Sequence, residues 1–243
     1  MQVLKRIVKC FLLLIGAIFY RSKNSKILYY HDIHDKVRHT DMSTPLELFK
    51  RHVRQIEESG YEIVPEITHS KGQVVIMLDD GFRGIYDTRR FFYDNNIKPT
   101  VFLAVSLIGK PEYLTKDEII ELQEHGFNFQ SHGWRHENLT ALSDEELKLE
   151  LNGARNELQS MLRKKVEQIC LPIGYFSEHL LSLLSIAKYD EIYSSIPGDY
   201  CDMISGMRRR NLVQGSTPFE VRMILNGGNR MLISRYLKLH KVL

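Results

Sequence analysis

A chain of 243 residues, 43% apolar and 26% charged, has the size and composition of one globular core; it is too apolar for a disordered segment and shows no internal repeat. Its net charge of +3 is uneven: residues 1–26 carry six Lys or Arg and no acid, residues 207–243 carry eight against Glu220 alone, and the body between them stands near −10. Basic ends beside apolar helical stretches suit an anionic membrane surface and argue against nucleic acid, and three scattered cysteines (Cys10, Cys170, Cys201) argue against a disulfide framework or a thiolate zinc site.

In chain order, "CFLLLIGAIFY" (10–20) comes first, with Lys5, Arg6 and Lys9 before it and Arg21, Lys23 and Lys26 after it. The run is too short to span a bilayer, and no A-x-A cleavage site follows. Val3, Leu4, Ile7, Val8, Phe11, Leu12, Ile15, Ile18 and Phe19 keep helical spacing, so residues 1–25 read as a basic, apolar helix lying in a membrane interface. A helix packed on the body is the alternative. The expected location is the cytoplasmic face of a membrane, or the outside if the helix is an uncleaved export anchor.

Residues 26–243 then alternate. "KILYYH" (26–31) is β-branched and aromatic, a strand. Residues 44–60 read as a helix with Thr44 as N-cap, Pro45 at the first position, Glu47 closing a capping box and Gly60 as stop. A short strand follows at 61–64, a buried one at 74–78, a helix at 84–95 and a strand at 100–105. The helix at 115–126 is opened by Thr115 and Glu118, and the one at 143–162 by Ser143 and Glu146. Strands are expected at 127–132, 166–172 and 190–196, with a helix at 177–187 and two helical pieces in the tail, opened by "TPFE" (217–220) and Asn229. Strand–helix alternation with apolar interior strands predicts parallel pairing under helices. His31, Asp79–Asp80, Ser131–His132 and Pro172–Gly174 recur at strand C-termini, which favours a closed, TIM-like (β/α) barrel, where those ends converge, over an open sheet.

Two motifs carry chemistry. "VVIMLDDGF" ends a buried strand on adjacent carboxylates, Asp79 and Asp80, then Gly81. "SHGWRH" sets His132 and His136 four residues apart. Two imidazoles and one carboxylate suit a divalent cation, Zn²⁺ first and Co²⁺, Ni²⁺ or Mn²⁺ after it, and leave positions open for water. The cation acidifies water, and a carboxylate left outside the cage serves as general base, typically worth about 10²–10⁴ in rate. Successive residues at a strand end point apart, so the two aspartates need not share one task. There is no G-x-S-x-G, H-E-x-x-H or phosphate-binding glycine loop.

On these motifs the chain resembles the polysaccharide deacetylases, the NodB-homology family or carbohydrate esterase family four. "MLDDG" is similar to the family's T-F-D-D-G, "SHGWRHENLTALSDEEL" to its H-x-x-x-H motif and following helix, and "LPIGYF" to its third motif. "ILYYHDI" and "LELFKRHVRQIEESGYEIV" are similar to its lead-in, so the likeness runs from about residue 27 to residue 213. The resemblance implies a distorted β/α barrel over 26–243 that removes acetyl from an N-acetylated sugar of a polysaccharide or glycolipid. It implies Asp79 as base, Asp80, His132 and His136 as metal ligands, Ser131 as their support, and backbone N–H groups near Ile173, Gly174 and Tyr175 as oxyanion donors. Trp134, the only Trp, is more a core residue than a sugar platform. The chain departs from the family where its third motif opens with an arginine that orients the base: Cys170 or Leu171 stands there, and Arg209 or Arg210 is placed to replace it from the next strand. The family's late His has no clear counterpart: His240 lies in a basic tail, and His31, at a strand end, is the catalytic candidate beside a plain structural role. The competing class is a barrel that grips glycans without turning them over. The basic, apolar ends add the expectation of a membrane-proximal substrate, a lipid-linked sugar or glycolipid on the cytoplasmic face, or cell-surface polymer on the outside if the helix is an uncleaved export anchor.

Overall fold

The computed structural model describes residues 2–242, with side-chain surroundings from residue 6 onward. Val3, Leu4 and Lys5 therefore lie outside the side chains described. A long helix, α1 (Gln2–Phe19), precedes β1 (Lys26–Tyr30). A small ribbon follows, β2 (Asp32–His34) and β3 (Ser43–Pro45), and then α2 (Leu46–Glu58), β4 (Glu62–Ile63) and β5 (Gln73–Leu78). Two short helices, α3 (Gly84–Asp87) and α4 (Arg89–Asp94), lead to β6 (Thr100–Leu103), α5 (Lys116–Glu124) and β7 (Asn128–Ser131). Then come α6 (Asp144–Lys148), a π-turn at Leu149–Gly153, α7 (Ala154–Leu162), β8 (Gln168–Cys170) and α8 (Glu178–Ile186). The chain ends with β9 (Glu191–Tyr193), β10 (Asn211–Leu212), α9 (Pro218–Leu225) and α10 (Ile233–His240).

The main sheet is parallel, in the order β10-β1-β5-β6-β7-β8-β9, with β4 beside the start of β5. Closure comes from residues 208–212, which serve both edges. Their first half bonds to the β9 side, Arg208 N to Ile192 O at 2.7 Å and Arg210 N to Ile196 O at 3.0 Å. Their second half pairs with β1, Leu28 opposite Asn211 and Tyr29 opposite Leu212. The result is the expected distorted (β/α) barrel. Side-chain alternation along each strand separates two buried sets. Ile27, Tyr29, Val75, Met77, Phe102, Cys170 and Tyr193 fill the barrel, while Leu28, Tyr30, Val74, Ile76, Leu78 and Val101 pack outward under the helices.

Capping boxes form at Thr115–Glu118, Ser143–Glu146 and Thr217–Glu220. The one expected at Thr44 does not. Residues 43–45 are drawn into pairing with β2, Pro45 stays extended, and α2 starts one residue later, leaving Glu47 to meet Lys50 at 2.6 Å. The helix expected over 84–95 breaks at Thr88, whose Oγ1 donates to Gly84 O at 2.8 Å and caps the first piece from within. The helix over 143–162 is present but wound wide at its centre.

The apolar N-terminal segment is helical and lies on the body. Gly16 of α1 crosses the Gly227–Gly228 turn so closely that a Cβ on it would stand 2.4 Å from Gly228 O, and Leu13 and Ala17 are buried beside it. No helix among the described residues is long and apolar enough to cross a membrane.

Candidate active site

β5 carries Asp79 into the barrel in phase with Val75 and Met77, and Asp79 N still bonds to Tyr30 O at 3.0 Å. The next residue breaks that phase. Asp80 has φ 72° and Gly81 φ 77°, left-handed values that turn the second carboxylate back toward the same cavity. Gly81 also has no room for a side chain, since a Cβ would lie 2.6 Å from Leu103.

The two carboxylates have different partners. Asp79 is held bidentately by Arg210, Nη1 to Oδ1 at 2.7 Å and Nη2 to Oδ2 at 2.8 Å. Arg210 is fully buried, its Nε donates to Ser194 O at 3.2 Å, and its guanidinium lies 4.2 Å from the Tyr29 ring centroid. Burial pushes the Asp79 carboxyl up, but the Arg210 charge and hydrogen bonds outweigh it and hold it below the ordinary carboxylate range. Burial likewise works against the guanidinium, and Asp79 more than restores it. Of the two arginines expected to reach the base, the closing strand delivers Arg210; Arg209 packs over Gly198 instead. Cys170, beside Asp79 and Arg210, lets Arg210 Nη2 approach its sulfur at 2.6 Å.

Asp80 faces two imidazoles, with Oδ1 3.3 Å from His132 Nε2 and 3.0 Å from His136 Nε2. His132 Nδ1 donates to Cys170 O at 2.8 Å, and a carbonyl can only accept, so a neutral ring turns the bare lone pair of Nε2 toward Asp80. Asp80 Oδ1 is buried and accepts no aligned hydrogen bond. Burial pushes its carboxyl up, and the two histidines, when protonated, pull it well below the usual range. An unpartnered carboxylate oxygen and two ring nitrogens, all within 4.8 Å of one another, are the donor set a divalent cation takes. Asp79, His132 and Cys170 also cluster, but Arg210 occupies Asp79 and burial keeps the thiol protonated, so that group fits a cation less well.

The loop bearing both histidines is shaped from behind. Glu150, fully buried, accepts the N–H groups of Trp134 and Arg135 at 2.7 and 3.0 Å and the Arg135 Nε at 2.8 Å. Ser131 Oγ accepts from Tyr189 O–H at 3.1 Å and from Gly133 N at 3.3 Å, a support role at the base of the loop. Sequence reading passed over Glu150 because one acid in an amphipathic helix carries no motif.

A cavity of about 330 Å³ opens over Asp79, Asp80, His132 and His136. His31, Ile173, Gly174, Ser195, Tyr236 and His240 are in its wall. His31 Nδ1 is 2.5 Å from Gln214 Oε1. Ile173 has φ 61°, rare for a β-branched residue, and leaves half its surface open. Tyr175 and Trp134 stand outside the lining: the Tyr175 ring lies against His240 at 5.8 Å, and Trp134 rests on Gly153. His240, unpromising in a basic tail, reaches the site because Phe176 N bonds to His240 O at 3.0 Å and Val242 N to Phe176 O at 2.9 Å. Its Nδ1 is buried without a partner, and burial lowers its basicity.

Residues 66–192 match the family model described as polysaccharide deacetylase. The chain belongs to the polysaccharide deacetylase family. YxkH of Bacillus subtilis (strain 168), named as a polysaccharide deacetylase, is 25% identical over 183 residues, 71% of this chain and 64% of that protein. The chain thus spans less than two thirds of that relative. Among solved structures, the Streptococcus pyogenes deacetylase PplD in complex with acetate superposes with a TM-score of 0.74 at 18% identity, over 83% of this chain and 98% of that one. IcaB from Ammonifex degensii gives 0.73 at 14%, over 85% and 98%. A Bacillus cereus polysaccharide deacetylase gives 0.72 at 18%, over 83% and 69%. These likenesses show the barrel fold shared with deacetylases. This deacetylase-family chain draws the arginine beside its first aspartate from residue 210 rather than from "CLPIGYF".

Proposed function

We propose that the chain is a divalent-metal-dependent hydrolase that removes the N-acetyl group from an N-acetylated sugar of a glycan or glycolipid. The observation that carries this is the meeting of Asp80, His132 and His136 beside an Asp79 held by Arg210. A cation held by Asp80, His132 and His136, with zinc the best match to the donors, would polarise the acetyl carbonyl and acidify the attacking water. Asp79 takes the proton of that water at a carboxylate oxygen, while Arg210 keeps the carboxylate ionised and aimed. The water oxygen bonds to the acetyl carbon, and the backbone N–H at Ile173 is the donor for the oxyanion, since that of Gly174 is taken by Leu171 O at 3.1 Å; loss of such a contact costs about 10²–10³ in rate. The C–N bond then breaks as the amine gains a proton, giving acetate and a free amino sugar.

Two imidazoles besides those of His132 and His136, His31 and His240, line the cavity. His31 is engaged by Gln214, whereas His240 has a bare Nδ1, so we assign the proton donor to His240 and orientation of the substrate to His31. The glycan-gripping alternative drew support from a missing arginine and a missing late histidine; Arg210 and His240 weaken it. The test is acetate release from a panel of N-acetylated glycans and glycolipids, with and without chelator. Asp79→Asn is expected to abolish turnover with metal still bound, and Asp80→Asn to weaken both. Undiminished turnover in chelator would overturn the metal assignment, and bound metal with no acetate from any substrate would favour the binder.

A further inference from the structure

α1 is apolar on two sides and covered on one. Leu13, Gly16 and Ala17 face the body, while Ile7, Phe11, Leu14 and Ile18, spaced i, i+4, i+7, i+11, form a second stripe 60%, 61%, 39% and 65% exposed. An apolar helix stripe is stable only against apolar surroundings, and this second one is left open. The sequence has no acid before Asp32, so every charged side chain that the helix and its exit carry is basic, Arg6, Lys9, Arg21 and Lys23 among them. Two copies packed stripe to stripe would set these charges against each other. An anionic bilayer surface complements them, and a helix too short to cross it lies along it.

Beside this stripe a groove of about 460 Å³ runs between α1 and α10. Val8, Leu12, Leu232 and Leu239 give it an apolar floor, and Arg6 and Arg235 stand on it. Lys9 is also there, but it is 3.9 Å from Glu220, whose carboxylate is otherwise occupied in the Thr217 capping box. Among the described residues, neither Arg6 nor Arg235 has a carboxylate within 4.0 Å. Tyr236 lines both this groove and the catalytic cavity, and Gly215, in the groove wall, follows the Gln214 that holds His31. One tyrosine therefore separates an apolar, guanidinium-bearing groove from Asp79.

We infer that the substrate is an N-acetylated sugar carried through a phosphate on a membrane lipid. The outward stripe of α1 lies in the bilayer interface, the groove takes the start of the hydrocarbon chain, and Arg6 and Arg235 meet the phosphate, which their forked donors suit. The sugar then falls past Tyr236 into the cavity. This assignment rests on the de-N-acetylase reading above.

The test uses the full chain with vesicles of phosphatidylcholine alone or mixed with phosphatidylglycerol. Wild type is expected to sediment with the mixed vesicles and at least about tenfold less with the neutral ones. Phe11→Asp/Ile18→Asp and Arg6→Glu/Arg235→Glu should each weaken that binding at least about tenfold, at about 1 kcal/mol per basic residue for the second pair, with melting temperatures within a few degrees of wild type as the control on folding. A synthetic N-acetylglucosaminyl lipid phosphate in vesicles should release acetate faster than the free sugar, with inorganic phosphate a weak competitor. Equal binding to both vesicle types, binding unaffected by the stripe variant, or a dimer that the stripe variant dissolves would each overturn the docking. Acetate release without vesicle binding would overturn docking alone, whereas vesicle binding with no acetate from any N-acetylated sugar would overturn the catalytic reading and the substrate assignment with it.

Discussion

At the scale of single residues, burial decides which charges matter. Arg210 and Asp79 are both inside the barrel, so removing one strands the other. Arg210→Met is expected to cost about 3–5 kcal/mol in urea unfolding, and Arg210→Lys less, because a lysine keeps the charge and loses the bidentate fork. Asp32, at the start of β2, is the opposite case. It is fully buried, neither carboxylate oxygen has a hydrogen bond, and Gly84 lies so close that a Cβ there would sit 2.4 Å from Oδ1. Burial pushes its carboxyl up to about 7, against about 3.9 in an unfolded chain. The folded state therefore holds this proton more tightly, and the contribution of Asp32 to stability is full below about pH 4 and is lost as pH rises to about 7. Asp32→Asn should flatten that decline and add at most about 4 kcal/mol at pH 8. Parallel stability profiles from pH 4 to 8 for wild type and variant would refute it.

At the scale of elements, local signals read well and long-range ones did not. Three capping boxes were legible because a Ser or Thr and a Glu three residues on satisfy each other without outside help. The one at Thr44 failed because β2 claimed the same backbone. The docking of α1 has a similarly long-range cause, a glycine meeting a glycine turn more than 200 residues away in the chain. Gly16→Leu is expected to lift α1 off the body. Burial of Leu13 alone is worth about 1.5–3 kcal/mol, so the melt should show an early step and limited proteolysis should clip α1 first, with the barrel intact. An unchanged melt and an uncut helix would show that the crossing tolerates a side chain.

At the scale of the whole molecule, the segment 208–212 both closes the barrel and seats Arg210, so fold and site share a seam. A cation held by Asp80, His132 and His136 would bind only where β5 and the loop after β7 are assembled, and is expected to stabilise the folded state. Zinc at about 100 times its Kd is expected to add about 2.7 kcal/mol, read as a rise in melting temperature that chelator reverses and Asp80→Asn diminishes. A melting temperature indifferent to zinc in the wild type would count against the cage.

From the sequence alone came the alternation of strands and helices, the barrel, and the two motifs whose members are adjacent or one turn apart: Asp79 with Asp80, and His132 with His136. Periodicity and short spacing are properties of the local backbone, and they survive without knowledge of partners. Arg210 over Arg209, the arrival of His240, the buried Glu150 and the two-sided exposure of α1 were decided only by tertiary structure. Each depends on which distant backbone lies opposite, and a side chain's role in a low-dielectric interior is set by that neighbour rather than by its place in the chain.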